Sequence, residues 1–266
     1  MFQITIFFLY LAAAILFALS RLPDWSDRAR KLVIPAFLAA AIAVCTDGWL
    51  LYTALDDGRN ITLANTVSII GFQLGAIGLL GAAKPVLRGI SAGLLLLAGM
   101  LALVTGKDPA TAAATALSWQ VRTHVLTSLF AYGLLTVGAI VAIAGLMQEW
   151  RLKARRLSPV NHLFAPLETT EALLYAVTAA GFTVLLLSVI SGLTFVENLF
   201  AQHLVHKTTL SLLALAIFGI LLAGRQFAGW RGRRGIYLYL AGFGLLCLGY
   251  FGSRVVLEEF LGRSWS

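Results

Sequence analysis

Apolar runs close to twenty residues long recur from one end of this 266-residue chain to the other. No other feature limits its fold as strongly. A bilayer core is about 30 Å thick, a distance that about 20 helical residues cross. Lipid cannot satisfy free backbone N–H and C=O groups, so a spanning segment is either a helix or part of a closed barrel. The runs do not alternate apolar with polar residues, which excludes the barrel. Only 12% of residues are charged against 59% hydrophobic, about half the charge of a soluble domain. The expected fold is therefore all-α: a polytopic membrane protein, a bundle of about eight transmembrane helices forming one integral membrane domain over 1–266. The spans fall at about 3–20, 32–54, 63–83, 87–104, 122–148, 172–195, 207–224 and 236–258.

Local chemistry supports these limits. Pro35 is expected in the first turn of the second span, where a missing N–H costs little, and Pro85 marks the turn between spans three and four. Gly71 and Gly75 stand four residues apart and let a neighbouring helix come close; Gly242, Gly244, Gly249 and Gly252 are expected to serve the last span in the same way. Connections on one side hold fourteen Lys and Arg, among them Arg21, Arg151, Arg156 and Arg231; those on the other side hold six. The positive-inside rule places the richer side in the cytoplasm and both termini outside, which in a Gram-negative cell is the periplasm. That bias accounts for the net charge of +8 without nucleic acid. All six tryptophans fall at expected span ends, as an interfacial belt requires. Asp108-Pro109 opens a short outer helix through T-A-A-A-T-A-L-S. The inner connection that follows the fifth span, basic and then amphipathic, is expected to rest on anionic lipid. The N-terminal run lacks a basic n-region and reads as a retained span rather than a signal peptide.

The two cysteines, Cys45 and Cys247, lie inside apolar runs, and neither forms C-x-x-C or C-x-x-C-H. This argues against disulfide exchange and against covalent haem attachment. No phosphate loop, no G-x-S-x-G and no H-E-x-x-H is present. No nucleophile–base pair stands out, so bond-making catalysis has no candidate residues. The histidines are more informative. His124 opens the fifth span in W-Q-V-R-T-H-V-L-T-S-L-F-A-Y, with Ser128 and Tyr132 further along it; His206 opens the seventh in V-H-K-T-T-L-S-L-L. Both are expected on the outer side. Two neutral imidazoles on opposed helices suit the axial positions of a haem iron. Arg122, Lys207 and Arg254, at the outer ends of spans, suit its propionates. Two other readings stay open: interfacial histidines that are simply wet, and a copper or zinc site built on His203 and His206. His162, on the inner connection, reads as a surface residue. Asp47 could line a cavity, cap a helix end or bind a cation in a small-ion or metabolite carrier. Spans one to four are not visibly an inverted copy of five to eight, which argues against such a carrier.

Several segments go further: H-V-L-T-S-L-F-A-Y-G from His124, H-K-T-T-L-S-L-L-A from His206, then G-W-R-G-R-R-G and Y-F-G-S-R-V-V. Together they resemble the cytochrome c assembly family in its HemX-like branch, most strongly over 119–258. The resemblance implies a membrane protein that handles non-covalent haem b near the outer face, with apocytochrome or other assembly proteins as partners. It implies that His124 matches an outward-facing haem ligand and that His206 stands where the second ligand comes. Haem-attachment members of the family carry a W-W-D stretch on an outer loop. The corresponding T-F-V-E-N-L-F-A-Q-H-L-V has no tryptophan. Relatives can also carry histidines deeper in the second and seventh spans that form an inner haem site. The aligning positions here lie near Thr46 and Arg225, which are not histidines, so the resemblance extends to a single outer site and not to a complete inner-to-outer relay. The alternative is a structural or regulatory membrane protein that keeps the fold without haem.

Overall fold

A computed structural model of the protein describes residues 2–56, 63–104, 118–155, 159–195 and 205–252. They form eight α-helices: α1 (Phe2–Leu19), α2 (Ala29–Asp56), α3 (Leu63–Gly81), α4 (Arg88–Ala102), α5 (Trp119–Lys153), α6 (Leu167–Phe195), α7 (Val205–Ala228) and α8 (Arg233–Cys247). No strand occurs among the described residues. Seven of these helices are long and apolar enough to cross a membrane by length and composition. The eighth, α8, is regular for 15 residues and then widens into a π-helical turn over Leu248–Gly252. The chain is an all-α polytopic membrane protein. The outer helix expected at 111–118 and the end of the last span lie outside the described residues.

Two helices begin or end beyond their apolar runs. The α2 helix starts at Ala29, so Pro35 lies inside it rather than in its first turn. Its exposed ring faces outward, where the break in the hydrogen-bond ladder disturbs no packing. The α5 helix runs through Lys153 because its polar end is anchored: Gln148 Nε2 donates to Ala165 O at 2.8 Å and Arg151 Nε to Asn161 Oδ1 at 2.8 Å.

The chain divides into two compact units. The first comprises Met1–Ser118 and Ile143–Ala172. In it α1 packs on α2 and α4, and α3 packs on α2 and α4. Tyr10, Phe17, Leu74 and Leu95 are fully buried there, among small residues such as Ala13, Ala40, Ala43 and Ala98. Small residues matter here because helices in lipid are held by close packing rather than by the hydrophobic effect. Gly71 and Gly75 illustrate the point. A Cβ on Gly71 would lie 2.9 Å from Leu101 Cβ of α4, and one on Gly75 would meet the Tyr10 hydroxyl of α1. The two glycines thus receive side chains from two different helices. In the same unit the inner connection is tied down: Arg21 Nε donates to His162 O at 3.1 Å, and Gly89 leaves room for the Leu163 carbonyl.

The second unit comprises Trp119–Ala142 and Leu173–Ser266. Its core includes Leu129, Leu135, Phe218, Leu221, Tyr239 and Leu246. Tyrosines join its helices. Tyr132 donates from α5 to Leu246 O at 3.0 Å, and Tyr239 donates from α8 to Leu135 O at 2.6 Å. The Phe218 and Tyr239 rings stand 5.2 Å apart. After α7 the chain folds back through G-W-R-G, using positive φ at Gly229 and Gly232. The Trp230 ring lies over Gly224, the Tyr175 hydroxyl donates to Trp230 O at 2.9 Å, and Arg234 stacks on Trp230 at 4.8 Å.

Candidate functional site

The first turns of α5 place His124, Ser128 and Tyr132 at four-residue spacing, which puts them along one helix face. His124 is half-buried and lies against α6. The contact depends on a glycine. A Cβ on Gly192 would lie 2.9 Å from His124 Cε1, so a side chain there would push the ring away.

Hydrogen bonds fix the imidazole. Its Nδ1 lies 3.1 Å from Ser188 O and 3.0 Å from Ser191 Oγ. Ser191 Oγ already donates to Ser188 O at 2.8 Å, so it can only accept from the ring. A carbonyl oxygen also only accepts. Both contacts therefore require a proton on Nδ1. Nε2 has no hydrogen-bond partner among the described residues. In the neutral ring it carries the lone pair, which is the form that binds metals. A ligating histidine ordinarily donates its other N–H to a carbonyl or carboxylate, which sets tautomer and orientation. His124 has that arrangement.

A second chain of bonds reinforces the first. Ser128 Oγ donates to His124 O at 2.8 Å and lies 2.6 Å from Ser188 Oγ. The Ser128 proton is committed to the carbonyl, so Ser188 is the donor between the two hydroxyls. Ser188 is buried and Ser128 partly so. Ser188, Ser191 and Gly192 were not singled out by sequence. Their signal was present in S-V-I-S-G, where residues three and four apart share a helix face.

The remaining expected residues are placed as follows. Arg122 is exposed in the first turn of α5. Tyr132 is buried, its hydroxyl is committed to Leu246 O, and its ring lies 5.4 Å from Tyr250. Lys207 is half-buried in the first turn of α7. His206 is the second residue of α7, and its side chain is not among those described. His203 and Arg254 lie outside the described residues. His162 is exposed in the inner connection. No group of three or more His, Cys, Asp or Glu that could hold a metal ion occurs among the described residues. What the site offers is one pre-oriented imidazole nitrogen.

The model of the family described as cytochrome C assembly protein matches residues 4–261. The chain belongs to the cytochrome c assembly family. Inner membrane protein YpjD of Escherichia coli K12 is 35% identical over 135 residues, 51% of this chain and 51% of that protein. An Azospirillum brasilense protein, described as an uncharacterized 28.8 kDa protein in the nifR3-like 5' region, is 30% identical over 141 residues, 52% of each chain. Protein HemX of Brevibacillus brevis is 31% identical over 105 residues, 39% of each. These matches span about half the length of the curated relatives or less. No solved structure matches the chain. The protein is a multi-span member of its family with inner-membrane relatives, as the sequence motifs implied.

Proposed function

We propose that this member of the cytochrome c assembly family binds non-covalent haem b near the outer face of the inner membrane and handles it for cytochrome biogenesis. The observation that carries the reading is the His124 imidazole, with Nδ1–H held by the Ser188 carbonyl and Nε2 left with its lone pair. In this reading His124, through Nε2, and His206 would hold the haem iron. Arg122, Lys207 and Arg254 serve the propionates, Tyr132 backs the histidine face, and His203 is the reserve ligand. Haem would supply an iron that binds imidazole nitrogen. The protein's part is to hold the tautomer, to shield the ring from lipid on α6 and to keep one nitrogen available. Apocytochrome or other assembly proteins are the partners, and both termini lie outside.

The absorption spectrum of the purified protein tests this. Expressed with ample haem, the protein is expected to show a Soret band that His124→Ala loses. A colourless protein, or a band indifferent to His124→Ala, refutes it. The same hydrogen bonds also favour a second reading, in which His124 merely ties α5 to α6 in a structural or regulatory protein without haem. That reading predicts no bound iron and a loss of stability in His124→Ala.

A further inference from the structure

The first unit holds a polar pair that haem binding leaves unused. Asp47 of α2 is 1% exposed, Tyr10 of α1 is 0% exposed, and the Tyr10 hydroxyl donates to Asp47 Oδ2 at 3.2 Å. The pair is sealed from several helices. Gly75 of α3 leaves space for the Tyr10 hydroxyl, which a Cβ there would strike. A Cβ on Gly99 of α4 would come within 3.0 Å of Tyr10 Cβ, and Phe72 of α3 covers Gly48, the residue after Asp47.

The charged surroundings are sparse. The described α1 presents no titratable group but Tyr10, and α3 has none. The α4 helix carries only Arg88, in its first turn, where Nε donates to Ala82 O. On α2 itself Cys45 and Tyr52 are exposed, and Arg30 and Lys31 lie at the far end of the helix. At 1.5 Å per residue, Lys31 is about 24 Å away along the helix axis. No cation pairs with Asp47 among the described residues.

An ionised carboxylate has about four lone-pair sites and, out of water, needs either several donors or a counter-charge. One neutral hydroxyl at 3.2 Å does not meet that need. The neutral acid asks far less: Tyr10 serves one oxygen and the bound proton occupies the other. We propose that Asp47 is a proton-binding site, a carboxyl that carries its proton while α1–α4 are packed and exchanges it when they part enough to admit water. Its ligand is the proton, and Tyr10 is the fixed donor that holds the acid in place.

Infrared spectroscopy of the full-length protein in lipid vesicles at neutral pH tests this by difference between variants. The wild type is expected to show the C=O stretch of a protonated carboxyl that Asp47→Asn lacks. Tyr10→Phe keeps the ring, so it covers the case in which Asp47→Asn fails to assemble. There the band is expected to persist and move to higher wavenumber, since its carbonyl loses a donor. A wild-type spectrum without the band overturns the proposal, and so does a band unchanged in both variants. A band that vanishes on adding sodium or potassium assigns the carboxylate to a metal cation and overturns it equally.

Discussion

Gly138 and Tyr239 form the most sharply defined contact in the second unit. Tyr239 is fully buried, and its hydroxyl donates to Leu135 O at 2.6 Å. A Cβ on Gly138 would collide with that hydroxyl and lie 2.6 Å from Cζ and 3.1 Å from Cε2. Carbon atoms rest at about 3.5–4.0 Å, so Gly138→Ala forces the ring to move by about 1 Å. Overpacking of this kind costs about 1–3 kcal/mol. The displaced hydroxyl adds about 0.6 kcal/mol, the average for hydrogen bonds between membrane helices. Alanine's better helix propensity returns about 1 kcal/mol. The net expectation is a loss of about 1–3 kcal/mol.

The same arithmetic reverses when the ring is absent. In a Tyr239→Leu background, Gly138→Ala keeps the propensity gain and loses the collision. It should be neutral or stabilising by up to about 1 kcal/mol. The double-mutant cycle therefore carries a coupling of about 2–4 kcal/mol, well above the few tenths expected of independent sites. Unfolding by titration with a denaturing detergent, followed by circular dichroism, measures all four corners. If Gly138→Ala costs the same in both backgrounds, the Tyr239 ring does not rest on Gly138, and the reading of α5 against α8 fails.

Other contacts give briefer expectations. Gly192→Ala should turn the His124 ring aside and abolish a Soret band as completely as His124→Ala, leaving helicity by circular dichroism unchanged. Ser191→Ala leaves Ser188 O as the acceptor for Nδ1–H, so haem should be retained with about tenfold weaker affinity in a haem titration, the lower end of the range for a ligand's supporting partner. Gly224→Ala should expel the Trp230 ring from its seat, read as a shift in tryptophan fluorescence and as faster proteolysis of the turn between α7 and α8. Alkaline phosphatase fused after residue 266 should be active, and fused at residue 157 inactive, if the termini lie outside.

The spans were legible because length and hydropathy alone decide what can cross lipid. Polar anchoring was not. Nothing in the composition of Q-E-W-R-L-K reveals that Gln148 and Arg151 reach Ala165 and Asn161 and so prolong α5 to Lys153. Pro35 was misplaced for a related reason. An outward-facing proline leaves buried packing intact, so the helix continues back through the basic residues to Ala29. The Gly71 and Gly75 spacing announced close packing, yet not the neighbours. Four residues turn a helix by about 40° beyond one revolution. That offset suffices for one glycine to face Leu101 of α4 and the other Tyr10 of α1.

His124 was visible in the sequence and its supports were not, for a reason that extends to Tyr10 and Tyr239. In a membrane helix a serine or threonine can satisfy itself on the carbonyl one turn back, as Thr136 does on Tyr132 O at 2.8 Å and Thr178 on Leu174 O at 2.6 Å. Such residues carry no signal of their own. They acquire one when a glycine on the facing helix opens a seat for a ring. Gly192 does so for His124, Gly75 for Tyr10 and Gly138 for Tyr239. In each case the ring's polar atom finds a group beyond its own helix: Ser188, Asp47 and Leu135 respectively. The seat and the bond specify each other, because without the glycine the ring cannot approach and without the bond its polar atom would be stranded in an apolar interior. Two of the three partners are carbonyls, which only accept. The third is a carboxyl, the only partner able to change its charge. The Asp47 seat is therefore suited to hold a proton, whereas the His124 seat leaves a nitrogen lone pair free.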